Sequence, residues 1–184
     1  LNLTNNTTWD LVDNSEVTDL HLNNSAVSLT NTNAPYATLT ITGNLTGSGI
    51  FNLNTNIAEN KSDKIVVKGT AEGNHKIGVT NQGANVANGK VTLVETNGGN
   101  AAFSLTNPNN RVDLGAYQYF LTKEGNNWVL ANSKNAVTSN APVLPNTPLL
   151  SDLANAQVSL RQAQLLLVED DLSGIHQRLG EVKN

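Results

Sequence analysis

The chain has 184 residues, 38% hydrophobic, 14% charged and 4% aromatic, with a net charge of −4 and a pI near 5.2. That balance offers no basic field to nucleic acid or to an anionic membrane surface, and the lack of cysteine excludes a disulfide framework and a thiolate metal site. About one residue in six is Asn; with abundant Thr, Gly and β-branched residues, this predicts an extended all-β protein with many tight turns.

The start, Leu1-Asn2-Leu3-Thr4, alternates like a strand, no apolar run reaches transmembrane length, and methionine is absent. We therefore expect an internal piece of a longer protein. Apolar pairs with one residue between them then recur: Trp9/Leu11, Leu20/Leu22, Val27/Leu29, Leu39/Ile41, Phe51/Leu53, Ile65/Val67, Ile77/Val79, Val91/Leu93, Phe103/Leu105 and Tyr117/Tyr119. From Leu39 their starts form two interleaved ladders with a step of 26 residues, Leu39, Ile65, Val91 and Tyr117, and Phe51, Ile77 and Phe103 with Val129 next. A fixed period in the twenties predicts a solenoid. Alternation with period two makes it a right-handed parallel β-helix over residues 1–110, each coil resting its inward side chains on the coil below. Before residue 40 the step is nearer 18 or 19, which predicts shorter coils. The Asn-rich stretches Asn23-Asn24, Asn31-Thr32-Asn33, Asn54-Thr55-Asn56 and Asn97-Gly98-Gly99-Asn100 suit left-handed corner residues. A meandering sandwich explains the strand spacing but not two coincident ladders.

Residues 111–130 concentrate aromatic side chains that are sparse in the rest of the chain. Val112, Leu114, Tyr117, Tyr119 and Leu121 read as one half-buried strand with a kink or bulge at Gly115-Ala116. Gly125-Asn126-Asn127 supplies a turn and Trp128-Val129-Leu130 returns. The expected product is a β-hairpin that plugs the open end of the solenoid, with Tyr117, Tyr119, Phe120 and Trp128 buried together. An ordinary core hairpin of a sandwich is the competing reading.

Residues 131–150 carry small polar residues and prolines without periodicity, which predicts an extended linker. From Ser151, a capping residue followed by Asp152, the apolar positions Leu153, Ala156, Leu160, Ala163 and Leu167 recur at helical spacing. The stripe slips by one residue to Val168, Leu172, Ile175, Leu179 and Val182, so residues 151–184 are predicted to form one long α-helix that needs a partner surface.

Val112-Asp113-Leu114-Gly115-Ala116-Tyr117-Gln118-Tyr119 with Gly125-Asn126-Asn127-Trp128 resembles the end of pertactin-like passenger domains of bacterial autotransporters, the type V secreted proteins of Gram-negative bacteria. Gly73-Asn74-His75, Leu93-Val94-Glu95-Thr96 and Ala102-Phe103-Ser104-Leu105 are similar to the preceding rungs, so the resemblance spans residues 62–130. Val129 stands where many relatives carry Tyr. Gln177-Arg178-Leu179-Gly180-Glu181-Val182-Lys183 resembles the segment that threads the outer-membrane β-barrel in AIDA-type autotransporters. In serine-protease autotransporters an Asn-Asn pair shortly before that motif is cleaved; Ser173 and Gly174 stand there instead, so that mode of release is not expected.

The resemblance implies a surface-displayed passenger whose end acts as an autochaperone, with Leu114, Gly115, Tyr117, Tyr119, Phe120 and Trp128 as cap and folding nucleus. It implies Leu160, Leu167, Leu172, Ile175, Arg178, Leu179 and Gly180 as the barrel-threading helix, and the protein's own outer-membrane β-barrel domain as partner. An adhesin or self-association module, meeting a host-cell surface or another copy, is the alternative.

No residue pattern announces catalysis or a cofactor. His21, His75 and His176 share no metal-ligand spacing and are expected at the surface. Ser48, in Gly47-Ser48-Gly49, lacks the strand-to-helix context of a nucleophile and reads as a solenoid turn. The carboxylate pairs Asp10/Asp13 and Glu59/Asp63 have no flanking basic cluster, and Glu169-Asp170-Asp171 falls on the predicted helix. We therefore expect no enzyme in this stretch.

Overall fold

The computed structural model describes residues 1–33 and 35–132, together with Ser151 and Ala154. The predicted linker begins inside the described residues, where Ala131 ends β14 and Asn132 follows; the rest of it and the barrel-threading helix, with Leu160, Leu167, Leu172, Ile175, Arg178, Leu179 and Gly180, lie outside them apart from Ser151 and Ala154. The described chain is an all-β parallel solenoid. Its strands are β1 (Asn2–Thr4), β2 (Thr8–Asp10), β3 (Ser15–Val17), β4 (Leu20–Ser28), β5 (Thr38–Ile41), β6 (Leu45–Asn56) and β7 (Lys61–Ser62). They continue as β8 (Lys64–Val67), β9 (Asn74–Asn81), β10 (Lys90–Thr96), β11 (Ala102–Leu105), β12 (Val112–Leu114), β13 (Tyr117–Glu124) and β14 (Asn127–Ala131).

The chain alternates between two sheets. One stacks β1 and β2 on β4, then β6, β9 and β11, all in parallel; the other stacks β3, β5, β8 and β10 in parallel. Inward residues of both sheets make one core, with Leu20, Leu22, Val27, Leu39, Ile41, Phe51, Leu53 and Ile65 fully buried. That is the burial expected of period-two strands whose alternate residues face the axis.

Leu39 pairs with Ile65 and Phe51 with Ile77, as the ladders require. Higher up they slip. Ile65 pairs with Val94 rather than Val91, and Ile77 with Leu105 rather than Phe103. The extra residues sit between β9 and β10. Tyr117 and Val129 are not parallel rungs at all, because their strands run antiparallel. In the first coils Trp9 pairs with Val27, the short step expected, but Leu39 stacks on Ser15 and not on Leu20, which pairs with Leu45 in the other sheet.

The Asn-rich corners work differently from expectation. Of the stretches singled out, only Asn24 and the glycines Gly98 and Gly99 have positive φ, and Asn54, Thr55 and Asn56 lie inside β6. Ser48 likewise lies in β6 rather than in a turn. Several corner side chains clip one coil to the next. Asp19 Oδ1 accepts the Asn44 amide at 2.8 Å, and Asn44 Oδ1 accepts the Thr70 amide at 2.9 Å. Asn107 accepts from the Val79 amide and donates to the Val79 carbonyl, both at 3.0 Å. These bonds satisfy backbone groups that leave the ladder where the chain turns.

Candidate functional site at the antiparallel end

The sequence predicted one kinked strand over Val112 to Leu121; the chain instead reverses at Gly115-Ala116, so that Leu114 faces Tyr117 and Val112 faces Tyr119. Gly115 has φ +58°, the left-handed value that a two-residue hairpin turn needs and that glycine adopts without strain. A second two-residue turn, Gly125-Asn126, joins β13 to β14. The end is thus a three-stranded antiparallel meander, and β14 lies antiparallel on β10 with Trp128 opposite Val94 and Leu130 opposite Val91. The antiparallel β14 thus pairs the upper edge of β10, and β12 becomes the end strand of that sheet. Lys90 binds Glu124 at 2.5 Å at one side of this seam, and the Thr96 hydroxyl donates to the Asn126 carbonyl at 2.7 Å.

Leu114, Tyr119 and Leu130 are buried, and Tyr117, Leu121 and Trp128 pack half-buried against the same core. Phe120 is also half-buried, but successive strand residues face opposite sides, so it stands on the face away from Tyr119. The four aromatic side chains expected to be buried together are therefore split between two faces.

Tyr119 reaches the loop between β9 and β10, where the repeat slips. Its hydroxyl donates to the Val86 carbonyl and accepts the Gly89 amide at 3.3 Å. Burial pushes the phenol above its ordinary range, the Gly89 amide opposing it, so it stays a neutral donor. A side chain at Gly115 would come within 2.5 Å of Asn85 in the same loop. Nothing in the sequence pattern flagged this loop as the partner of the end strands.

Trp128 does not end at β10. Its ring meets Phe103 at 5.4 Å, Phe103 meets His75 at 5.3 Å, and His75 meets Phe51 at 5.8 Å, all tilted. The four rings form a column from β14 down through β11, β9 and β6. Lys123 stands over the Trp128 ring at 5.9 Å. His75, expected at the surface, is 1% exposed. It occupies the inward phase of β9 with Ile77 and Val79, a phase visible in the alternation around it.

Asp10 and Asp13 are exposed, Asp13 Oδ1 accepting the Asn14 amide at 2.7 Å, whereas Glu59 and Asp63 are engaged in structure. Asp63 is fully buried, and its two oxygens accept the Ala37 amide at 2.8 Å and the Asn54 amide at 2.6 Å. Burial pushes its carboxyl above the usual range while those amides pull it back. Glu59 pairs with Lys61 at 2.8 Å, and hydrogen bonding to that lysine lowers the Glu59 carboxyl. Among the described residues no group of three or more His, Asp or Glu is arranged to hold a metal. An open groove of about 520 Å³ runs along β4 and β6 between Asn6, Asn24, Ser48 and Lys76.

The Pertactin family model matches residues 17–132. The probable autotransporter YpjA of Escherichia coli K12 is 44% identical over 62% of this chain and 8% of its own length. The BrkA autotransporter of Bordetella pertussis is 35% identical over 82% of this chain and 15% of its own. The relatives also include the immunoglobulin A1 protease autotransporter of Haemophilus influenzae, 29% identical over 85% of this chain and 9% of its own length. Among solved structures, the Hap adhesin of Haemophilus influenzae superposes with a TM-score of 0.60 at 30% identity, over 70% of this chain and 15% of that one. The chain thus spans less than a sixth of each of these proteins. With matching model, relatives and fold, the chain belongs to the pertactin family, as a pertactin-like part of the passenger of an AIDA-type bacterial autotransporter.

Proposed function

We propose that residues 111–132 and the coil beneath them are the folding nucleus of this surface-displayed passenger, on which the preceding coils stack. The observation that carries the reading is the ring column, which joins the antiparallel end to three successive strands of the other sheet. A parallel coil has no short-range partner and pays loop-closure entropy before any contact rewards it. The meander, by contrast, is built from two two-residue turns and forms locally. Once formed, it offers β10 a paired edge and Phe103 a ring to lie on. Leu114, Tyr117, Tyr119 and Trp128 supply the packing, Gly115 the reversal, and Phe120 the opposite face. In this reading the protein's own outer-membrane β-barrel delivers the chain to the surface, folding there helps draw it outward, and the stretch carries no catalysis.

Refolding kinetics of the 184-residue chain test it. Trp128→Ala and Tyr117→Ala should slow folding and change unfolding little, the signature of contacts made in the transition state. Acceleration of unfolding alone would overturn it.

A second reading, adhesion or self-association with another copy or a host-cell surface, draws support from the Hap adhesin likeness and from the polar groove along β4 and β6. It predicts association that rises with protein concentration and is lost when Asn24 and Ser48 are replaced by Lys.

A further inference from the structure

His75 is an odd choice for its place. The inward neighbours on β9 are Ile77 and Val79, and the rings on either side are Phe51 and Phe103. His75 Nε2 lies 3.0 Å from the Glu72 carbonyl, which can only accept, so the neutral ring carries its hydrogen on Nε2. Nδ1 is then a bare acceptor, and among the described residues it is buried without a partner. An apolar side chain would fill the site without that desolvation cost.

Among the described residues no anion is at hand to receive a second proton's charge. β6 and β11 bring no ionisable side chain to the ring. Across the core the inward residues of β8 and β10 are Ile65, Val67, Leu93 and Val94, while Lys64 and Glu95 pair with each other at 2.7 Å. On its own strand Lys76 is exposed, Glu72 meets the ring through its carbonyl, and Lys123 lies beyond Trp128 and Phe103.

We propose that His75 makes the capped end acid-sensitive: protonation of its ring expels it from the aromatic column and loosens the coils beneath the end strands. The capped end is closed at neutral pH and opens in mildly acidic surroundings. The inference holds whether or not this end nucleates folding. Burial holds the His75 ring below the ordinary histidine value of 6.5, the Glu72 carbonyl opposing it, so the folded state takes up the proton less readily than the unfolded chain. Stability is therefore whole above about pH 6.5 and falls as pH drops through 6.5 toward the folded value. The opening constant rises by at most about tenfold per pH unit in that window. Because each coil touches only its neighbours, the loosening is local. His21, by contrast, is exposed beside the Thr46 hydroxyl at 2.9 Å.

The test uses the whole chain with Trp9→Phe, which leaves Trp128 as the single tryptophan. Its emission, followed in urea between pH 7.5 and 5, should show a midpoint that falls with pH. His75→Phe should flatten that fall and His21→Gln should leave it intact. Equal falls with and without His75 would overturn the proposal. If His75→Phe does not fold, exchange protection in the His75 chain decides. Between pH 7 and 5.5, corrected for intrinsic rates, the Ala102 and Thr106 amides, which bond to β9 or its leading residue Gly73, should lose protection. The Ala26 and Leu29 amides, bonded lower in the stack, should keep theirs. Uniform protection, or a His75 ring that titrates at 6.5, would refute it.

Discussion

Replacement of Tyr119 by Phe isolates one atom of the antiparallel end. The ring keeps its volume and its full burial opposite Val112, so no cavity opens. What is lost is a donor to the Val86 carbonyl and an acceptor for the Gly89 amide. Each orphaned backbone group costs about 1–3 kcal/mol if it stays dry, and about 1 kcal/mol if water reaches it. The loop is partly exposed around Asn85 and Val86, so we expect water to relieve one of the two and the loss to total about 2 kcal/mol. Tyr119→Ala adds the missing ring, with a total of about 3–5 kcal/mol. Because solenoids unfold in segments, the assay is hydrogen exchange at Gly89 together with guanidinium unfolding. Gly89 should exchange roughly tenfold or more faster in Tyr119→Phe, with amides of β4 unchanged. A loss under about 0.5 kcal/mol with Gly89 still protected would show that the hydroxyl does not hold the loop.

The remaining predictions concern the coils. Gly73→Ala places a Cβ 1.9 Å from the Gly47 carbonyl oxygen at φ +96°, so stacking of β9 on β6 must break locally; we expect a loss of more than about 2 kcal/mol by urea titration. Asp63→Ala strands two buried amides on different coils and should cost about 2–4 kcal/mol, with faster exchange at Ala37 and Asn54. Lys90→Gln removes an ion pair whose side chains are about half exposed, and should change stability by less than about 1 kcal/mol, less still in high salt.

The solenoid was legible because inward residues obey a short period and stack on their equivalents: Leu39 on Ile65 and Phe51 on Ile77 can be read directly from spacing. Legibility failed where the coil length changes, between β9 and β10, since a ladder counted in equal steps carries past an insertion unseen. Val91 and Phe103 were displaced for that reason. Gly115-Ala116 was ambiguous because a frame shift in an alternating pattern fits a bulge and a tight reversal equally; only pairing across the turn separates them. His75 was misplaced because the polarity of its ring outweighed its inward phase. The Asn content was recognised as a corner device, but its mechanism was not, since acceptance of an amide from the next coil leaves no local mark on the sequence.

Those amide clips bear on how such a surface ages. A side-chain amide slowly loses ammonia when the following backbone nitrogen attacks it, and the product carries a carboxylate. Asn44 uses only its oxygen, a role the carboxylate can still fill. Asn107 uses both ends, and a carboxylate there would face the Val79 carbonyl with like charge. Its successor is Pro108, whose nitrogen carries no hydrogen and is a poor attacker. At the Asn107 clip, where the amide is indispensable, the chain has closed the chemical route by which a protein long outside the cell would lose it.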